Sequence, residues 1–271
     1  MQTTPRILGA LTLALVLISG AARAQQKSTR PGGLTAPPPP TRPVLGVIDG
    51  SVSDTNLAPV PLADVTVFRT TGRVKTNVRG RFRFIDVPAG QYLLIVRRIG
   101  YRPVSGIIDV PAGDTVRLAY TMEPVAQTLG AVVVTEQRHS FRMQEFYDRA
   151  KGGFGEFYTQ EQIESRNSLT LTDLLKFSKT MSITTDNTSG HQIALSRREG
   201  GSLTGVGAGY CPMQVMLDGA PLPTGFPMEL LPSPKEVAGI EVYSGPATVP
   251  MKFAGPDRRC GMVLIWTKDG Y

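Results

Sequence analysis

The sequence predicts a mostly β protein in two parts, an N-terminal β-sandwich over 44–124 and a small mixed α+β domain over 158–271. Three observations predict it. From Val44 to about Pro124, apolar residues alternate with polar ones in short runs broken by Gly, Pro and Asp, the period-two pattern of half-buried strands. Beyond Tyr158, helix-capping residues appear at Thr159 and Ser233. The same half holds two apolar runs flanking Asp218-Gly219, a dipeptide suited to a type I′ hairpin turn.

In the first part, Ile48, Gly50 and Val52 share a face, and Val65 with Val67, Phe82 with Phe84, and Tyr92, Leu94 and Val96 repeat the period. Gly72, Gly80, Pro88-Ala89-Gly90 and Pro111-Ala112-Gly113-Asp114 mark the turns. In the second part, Thr159-x-x-Gln162 is a capping box, and Thr170 precedes a helix with Leu171, Leu174 and Leu175 on one face. Ser233-Pro234-Lys235-Glu236 supplies a third helix start. Strands at Gln214–Leu217, Ala220–Leu222, Ile240–Tyr243 and Met262–Trp266 complete the domain.

Around these parts the chain is organised for export. Arg6 precedes an apolar run from Ile7 to Ile18, and small residues end in Ala22-Arg23-Ala24, which predicts a signal peptide over 1–24. The run is shorter than the ~20 residues of a membrane span, and no later segment approaches that length. Residues 25–43, with Pro37 to Pro40, read as an extended linker. Residues 125–157 form a connector: a β-branched stretch ending at Thr135, then a short amphipathic helix stopped by Gly152-Gly153. Phe141, Glu145 and Phe146 lie at helical spacing there, as a packing face or a membrane-surface anchor.

Composition excludes several functions. The formal charge of +7 is scattered rather than interleaved with stacking aromatics, so no nucleic-acid partner is expected. The histidines, His139 and His191, have no ligand-spaced neighbours, and no Ser/His/Asp or Cys/His arrangement can be drawn. Gly200 to Gly209 lacks the Lys-Ser/Thr ending of a phosphate loop. The expectation is therefore no catalytic residue, no metal and no cofactor. Cys211 and Cys260, an even pair in an exported chain, read as a disulfide, with a metal or redox site as the rival.

Two resemblances add to this reading. Ile48-x-Gly50-x-Val52-x-Asp54, Pro61-Leu62-Ala63-Asp64-Val65-x-Val67, Gly80-x-Phe82-x-Phe84 and Val87-Pro88-x-Gly90-x-Tyr92-x-Leu94-x-Val96, closed by Ile99-Gly100-Tyr101, resemble the carboxypeptidase regulatory-like domain. That resemblance implies a transthyretin- or immunoglobulin-like sandwich serving as a scaffold without chemistry of its own. From Glu156 to Lys268, the Leu174-Leu175 helix, the Val215-x-Leu217-Asp218-Gly219-x-Pro221-Leu222 hairpin, Ile240-Glu241-Val242-Tyr243-Ser244-Gly245-Pro246 and Cys260-Gly261-x-Val263-x-Ile265-x-Thr267-Lys268 resemble the plug domain of TonB-dependent outer-membrane receptors. Lys179-Thr180 stands where Pro-Gly is usual, Ser244 where a basic residue is usual, and Arg197-Arg198-Glu199-Gly200 blurs an Arg-Gly motif.

A receptor's β-barrel, at ~9–11 residues per strand, is not expected in this chain. Ala131-Val132-Val133-Val134-Thr135 resembles a TonB box, although a strand of the protein's own fold reads the same way. Together the resemblances imply a non-enzymatic periplasmic binding or adaptor protein, peripheral to the outer membrane, with TonB and an outer-membrane β-barrel protein as partners. A periplasmic or extracellular carbohydrate- or peptide-binding module is the alternative. Against it stands the single tryptophan, Trp266, outside the sandwich.

Overall fold

Seven strands build the first part: β1 (Leu45–Asp54), β2 (Asp64–Val67), β3 (Arg73–Lys75), β4 (Arg81–Pro88), β5 (Gly90–Arg97), β6 (Val104–Val110) and β7 (Thr115–Met122). The structure, a computed structural model, describes residues 44–70, 72–125, 141–197, 211–253 and 259–268. The predicted signal peptide 1–24, the linker 25–43, the TonB-box-like 131–135 and the glycine-rich 200–209 lie outside the described residues. The strands form two sheets, ordered β4-β1-β7 and β3-β2-β5-β6, in which β1 and β7 run parallel and every other pair antiparallel. This is the predicted sandwich.

The predicted alternation places the sandwich core. Ile48 and Val52 of β1 with Phe82, Phe84 and Val87 of β4 meet Val65, Val67, Tyr92, Leu94 and Val96 across the sheets. Gly50 belongs to the same inward series, directly opposite Phe82. A Cβ there would lie 2.2 Å from the Phe82 ring, so the glycine leaves the space that the ring fills.

The second part comprises α1 (Phe141–Gly152), β8 (Glu156–Thr159), α2 (Gln160–Ser165), α3 (Leu171–Leu175), β9 (Met181–Thr185), β10 (Gln192–Ser196), β11 (Gln214–Leu217), β12 (Ala220–Pro221), β13 (Val237–Tyr243) and β14 (Met262–Thr267). Five strands pair as β12-β11-β14-β13-β8, while β9 and β10 form a separate two-stranded sheet. Thr159 caps α2 in the predicted capping box, and the Thr170 side chain accepts the Asp173 N–H at the start of α3. At Ser233 the Glu236 carboxylate accepts the Ser233 N–H at 2.8 Å, one half of the predicted capping box, but the predicted helix is a single 3₁₀ turn, Pro234–Glu236, because β13 begins at Val237.

The sheet is covered on both faces. On one side α1 lays the fully buried Phe146 against Tyr243, Met262, Leu264 and Trp266. Phe146 is thus a packing residue, and the connector helix belongs to the body of the mixed domain. On the other side Val215, Leu217, Ile240, Val242, Val263 and Ile265 meet the leucines of α3. The described residues fall in one compact unit. Phe68, Leu93 and Ile95 of the sandwich join the core under the five-stranded sheet, so the two parts share apolar surface. Among the described residues no helix is long and apolar enough to cross a membrane.

Candidate functional site

Strand β5 makes the junction. Its residues from Tyr92 to Arg97 are all buried because its two faces serve two cores. Tyr92, Leu94 and Val96 point into the sandwich, while Leu93 and Ile95, both 0 % exposed, point at the mixed domain. Arg97 continues the second series. A guanidinium entering an apolar junction needs hydrogen-bonded carboxylates around it.

Cross-strand pairing supplies them in a row. Lys75 of β3 lies opposite Asp64 of β2, and Asp64 opposite Arg97 of β5. Lys75 Nζ is 2.9 Å from Asp64 Oδ1, and Arg97 Nη2 donates to Asp218 Oδ2 in the β11–β12 turn. Side-chain exposure falls along the row from 54 % at Lys75 to 11, 7 and 1 % at Asp64, Arg97 and Asp218. The alternating charges thus run from solvent into the seam. Asp218 also accepts the Thr267 N–H at 2.7 Å and the Thr267 hydroxyl at 2.6 Å, which ties the hairpin turn to the end of β14. Asp218 and Gly219 have φ of 50° and 84°, as the predicted type I′ turn requires.

Beside this row a cleft of about 340 Å³ opens between the two parts. Tyr101 and Pro103 come from the sandwich, and Gly219, Lys252, Phe253 and Trp266 from the mixed domain. Elsewhere along the seam, Ser105 Oγ donates to the Pro221 carbonyl at 2.6 Å and Arg69 Nη1 to the Glu229 carbonyl at 3.2 Å, so polar bonds flank the apolar contact.

A second polar centre locks α1 to the sheet. Glu241, in the middle of β13 and 0 % exposed, accepts Arg149 Nη2 at 2.7 Å and Trp266 Nε1 at 2.6 Å on Oε1. Its Oε2 accepts Arg149 Nε at 2.8 Å and the Tyr243 hydroxyl at 2.5 Å. Burial works against the Arg149 charge, but the hydrogen bond and charge of Glu241 outweigh it and hold the guanidinium more firmly protonated than usual. Burial, reinforced by the Glu241 charge, pushes the Tyr243 phenol up. The Arg149 guanidinium also lies 5.5 Å from the centre of the Phe253 ring and 5.9 Å from that of Trp266.

Glu156 anchors the loop before β9. Burial would raise its carboxyl, but hydrogen bonds from Thr180, Tyr158, Ser178 and the Lys179 N–H prevail and hold it below the usual carboxylate range. Burial and the same carboxylate push the Tyr158 phenol up to about 12. Each of these polar centres satisfies a buried or half-buried charge that holds elements together.

The predicted site residues divide in two. Cys211 and Cys260 are disulfide-bonded, with 5.3 Å between their Cα atoms. They precede β11 and β14, parallel neighbours in which Gln214 lies opposite Met262, so the bond staples adjacent strands at one end. Ala131, Val132, Val133, Val134 and Thr135 lie outside the described residues, as does His139. His191 Nδ1 is 2.5 Å from Glu229 Oε1. Among the described residues no group of three or more His, Cys, Asp or Glu is placed to hold a metal ion. The sequence reading missed Arg97, Asp218, Arg149 and Glu241 as a set, because each pair joins residues about a hundred positions apart.

No curated protein matches the chain significantly in sequence. Among solved structures, the Bacillus anthracis TIE protein is similar at 20 % identity and a TM-score of 0.29, over 30 % of this chain and 17 % of that one. The minor pilin of Streptococcus agalactiae is similar at 14 % identity and a TM-score of 0.29, over 33 % and 49 %. A type II cohesin–X–dockerin complex of Acetivibrio cellulolyticus is similar at 19 % identity and a TM-score of 0.28, over 42 % and 77 %. The chain therefore spans less than two thirds of the length of the first two. Residues 47–123 match the family model of the carboxypeptidase regulatory-like domain, a match that falls on the sandwich of β1 to β7.

Proposed function

We propose that this chain is a non-enzymatic binding or adaptor protein of the periplasm that works with a TonB-dependent uptake system at the outer membrane. One observation carries the reading. A carboxypeptidase regulatory-like domain is fastened, through Arg97 and Asp218, to a mixed domain whose plug-like segments are bonded to one another. The hairpin of β11 and β12 and the closing strand β14, which carry that resemblance, meet directly through Asp218 and Thr267. The signal-like N-terminus and the disulfide support export to an oxidising compartment. Residues 131–135 precede the mixed domain, and three consecutive valines suit capture as an added strand.

Calorimetric titration of the full chain with the C-terminal domain of TonB tests the reading. Saturable binding is expected, and Val133→Pro should abolish it without changing the melting temperature, since proline removes a backbone donor needed for strand pairing. Absence of binding by the unaltered chain would sink the proposal. A sharp fall in melting temperature for Val133→Pro would instead make the valines a strand of the protein's own fold.

A further inference from the structure

We propose that the seam cleft binds a small anionic ligand with an aromatic or ring-shaped body, a proposal independent of TonB docking. Charge comes first. The lining carries four cations, Lys75, Arg97, Arg98 and Lys252, against two carboxylates, Asp64 and Asp218. Both carboxylates are engaged by cations of the same lining, Asp64 by Lys75 and Asp218 by Arg97, and Lys252 is paired with Glu145 of α1 at 2.6 Å, so the positive surplus rests on Arg98. Arg98 is half-buried, and the side-chain hydrogen bond it makes among the described residues is a long one, 3.5 Å to the Leu62 carbonyl. A guanidinium so placed has donors to offer an anion.

The shape and the rest of the lining set the body of the ligand. A volume of about 340 Å³ lies in the range of small-molecule sites. Phe253 and the edge of Trp266, a ring only 3 % exposed and packed with Phe253 against Arg149, stand on one side, and Tyr101 comes from the other. Apolar side chains at the cleft are left in water: Ile99 is 71 % and Leu62 54 % exposed. Leu62 is also held at φ 57°, a left-handed conformation that leucine rarely adopts. Strain of that kind is retained where the surroundings enforce it, and clusters at ligand clamps. Flat apolar surface beside a cationic group selects a ring with an acidic substituent.

Trp266 is the single tryptophan of the chain and lines the cleft, so its emission reports occupancy. The probe is 8-anilino-1-naphthalenesulfonate, with uncharged N-phenyl-1-naphthylamine as its counterpart, titrated into the full chain. Expected are saturable one-to-one binding that quenches Trp266, and weakening as salt rises. Arg98→Gln and Ile99→Asp, both checked for an unchanged circular dichroism melt, should each weaken the sulfonate about tenfold. The uncharged probe should bind less tightly and ignore Arg98→Gln. The proposal is overturned if the sulfonate does not saturate, if both variants bind it as the unaltered chain does, or if the uncharged probe binds more tightly.

Discussion

Replacing Glu241 by Gln changes one charge and almost no volume at the centre of the mixed domain, so its effect isolates the buried charge. The carboxylate receives four hydrogen bonds of 2.5–2.8 Å, two from Arg149 and one each from Tyr243 and Trp266. The indole N–H can only donate, so the amide oxygen of Gln must take the Oε1 position facing Trp266 and Arg149 Nη2. The amide NH₂ then occupies the Oε2 position. There the Tyr243 hydroxyl can reverse and accept, but Arg149 Nε is left pointing at another donor. The guanidinium, only 18 % exposed, also loses its buried counter-charge. Breaking a buried ion pair on one side costs about 3–5 kcal/mol, and the one rescued hydrogen bond places the expected loss near 3 kcal/mol. For a protein of this size that is about 6–12 °C in melting temperature. Urea unfolding followed by Trp266 fluorescence measures it. In a double-mutant cycle with Arg149→Met, the coupling should be about 2 kcal/mol, because either change alone strands the other group. A loss under about 1 kcal/mol, the worth of one ordinary hydrogen bond, would show that the cluster is not a charge lock.

Replacing both Cys211 and Cys260 by Ser releases a loop closed over 49 residues, for which loop-closure entropy gives a loss of about 4 kcal/mol by urea unfolding; adding reductant to the unaltered protein should give the same midpoint. Asp218→Asn keeps the turn, since Asn tolerates a positive φ, but strips the charge facing Arg97, so a loss of about 3 kcal/mol is expected, partly recovered in the double variant with Arg97→Met. Glu156 has a lowered carboxyl in the folded state, so its contribution is present above the ordinary glutamate value of about 4.3 and is lost as pH falls through the folded value. Glu156→Gln should melt lower near neutral pH and converge on the unaltered protein as pH falls below the folded value; parallel curves would refute the assignment. A chain cut to the sandwich, 44–125, uncovers Phe68, Leu93 and Ile95, each worth about 1.5–3 kcal/mol of burial, and should self-associate in sedimentation, with Leu93→Ser and Ile95→Thr together restoring the monomer.

Much of the fold was legible because its signals are local. The alternation of Phe82 with Phe84 and of Tyr92, Leu94 and Val96 fixes which side chains face the sandwich core, whatever pairs with those strands. Thr159 with Gln162, and Asp218 with Gly219, close bonds or turns within a few residues, so their sequence signatures carry their geometry. Where tertiary structure intervenes, the reading is incomplete. Ser233 to Glu236 has every feature of a helix start, yet demand for a long β13 beside β14 ends it after one turn. Reading β5 by its inward series left Leu93 and Ile95 without a role, although Leu93-Leu94-Ile95-Val96 is an unbroken apolar run, the mark of a strand buried on both faces.

The site residues were hidden for a different reason. Arg97 meets Asp218 across 121 positions and Arg149 meets Glu241 across 92, so no spacing rule connects them. Each nevertheless left half a signal. Glu241 is the lone charge in Val237–Tyr243, whose other residues are all uncharged, and a carboxylate that the strand must bury demands a cation from elsewhere. Arg97 ends the apolar run of β5 in the same way. Asp218 gave no such warning, because the hairpin turn already explained an Asp at that position. A charge enclosed by an apolar run is therefore the stronger pointer: its burial implies a partner, whereas a turn aspartate is satisfied by its own backbone until a second domain arrives to use it.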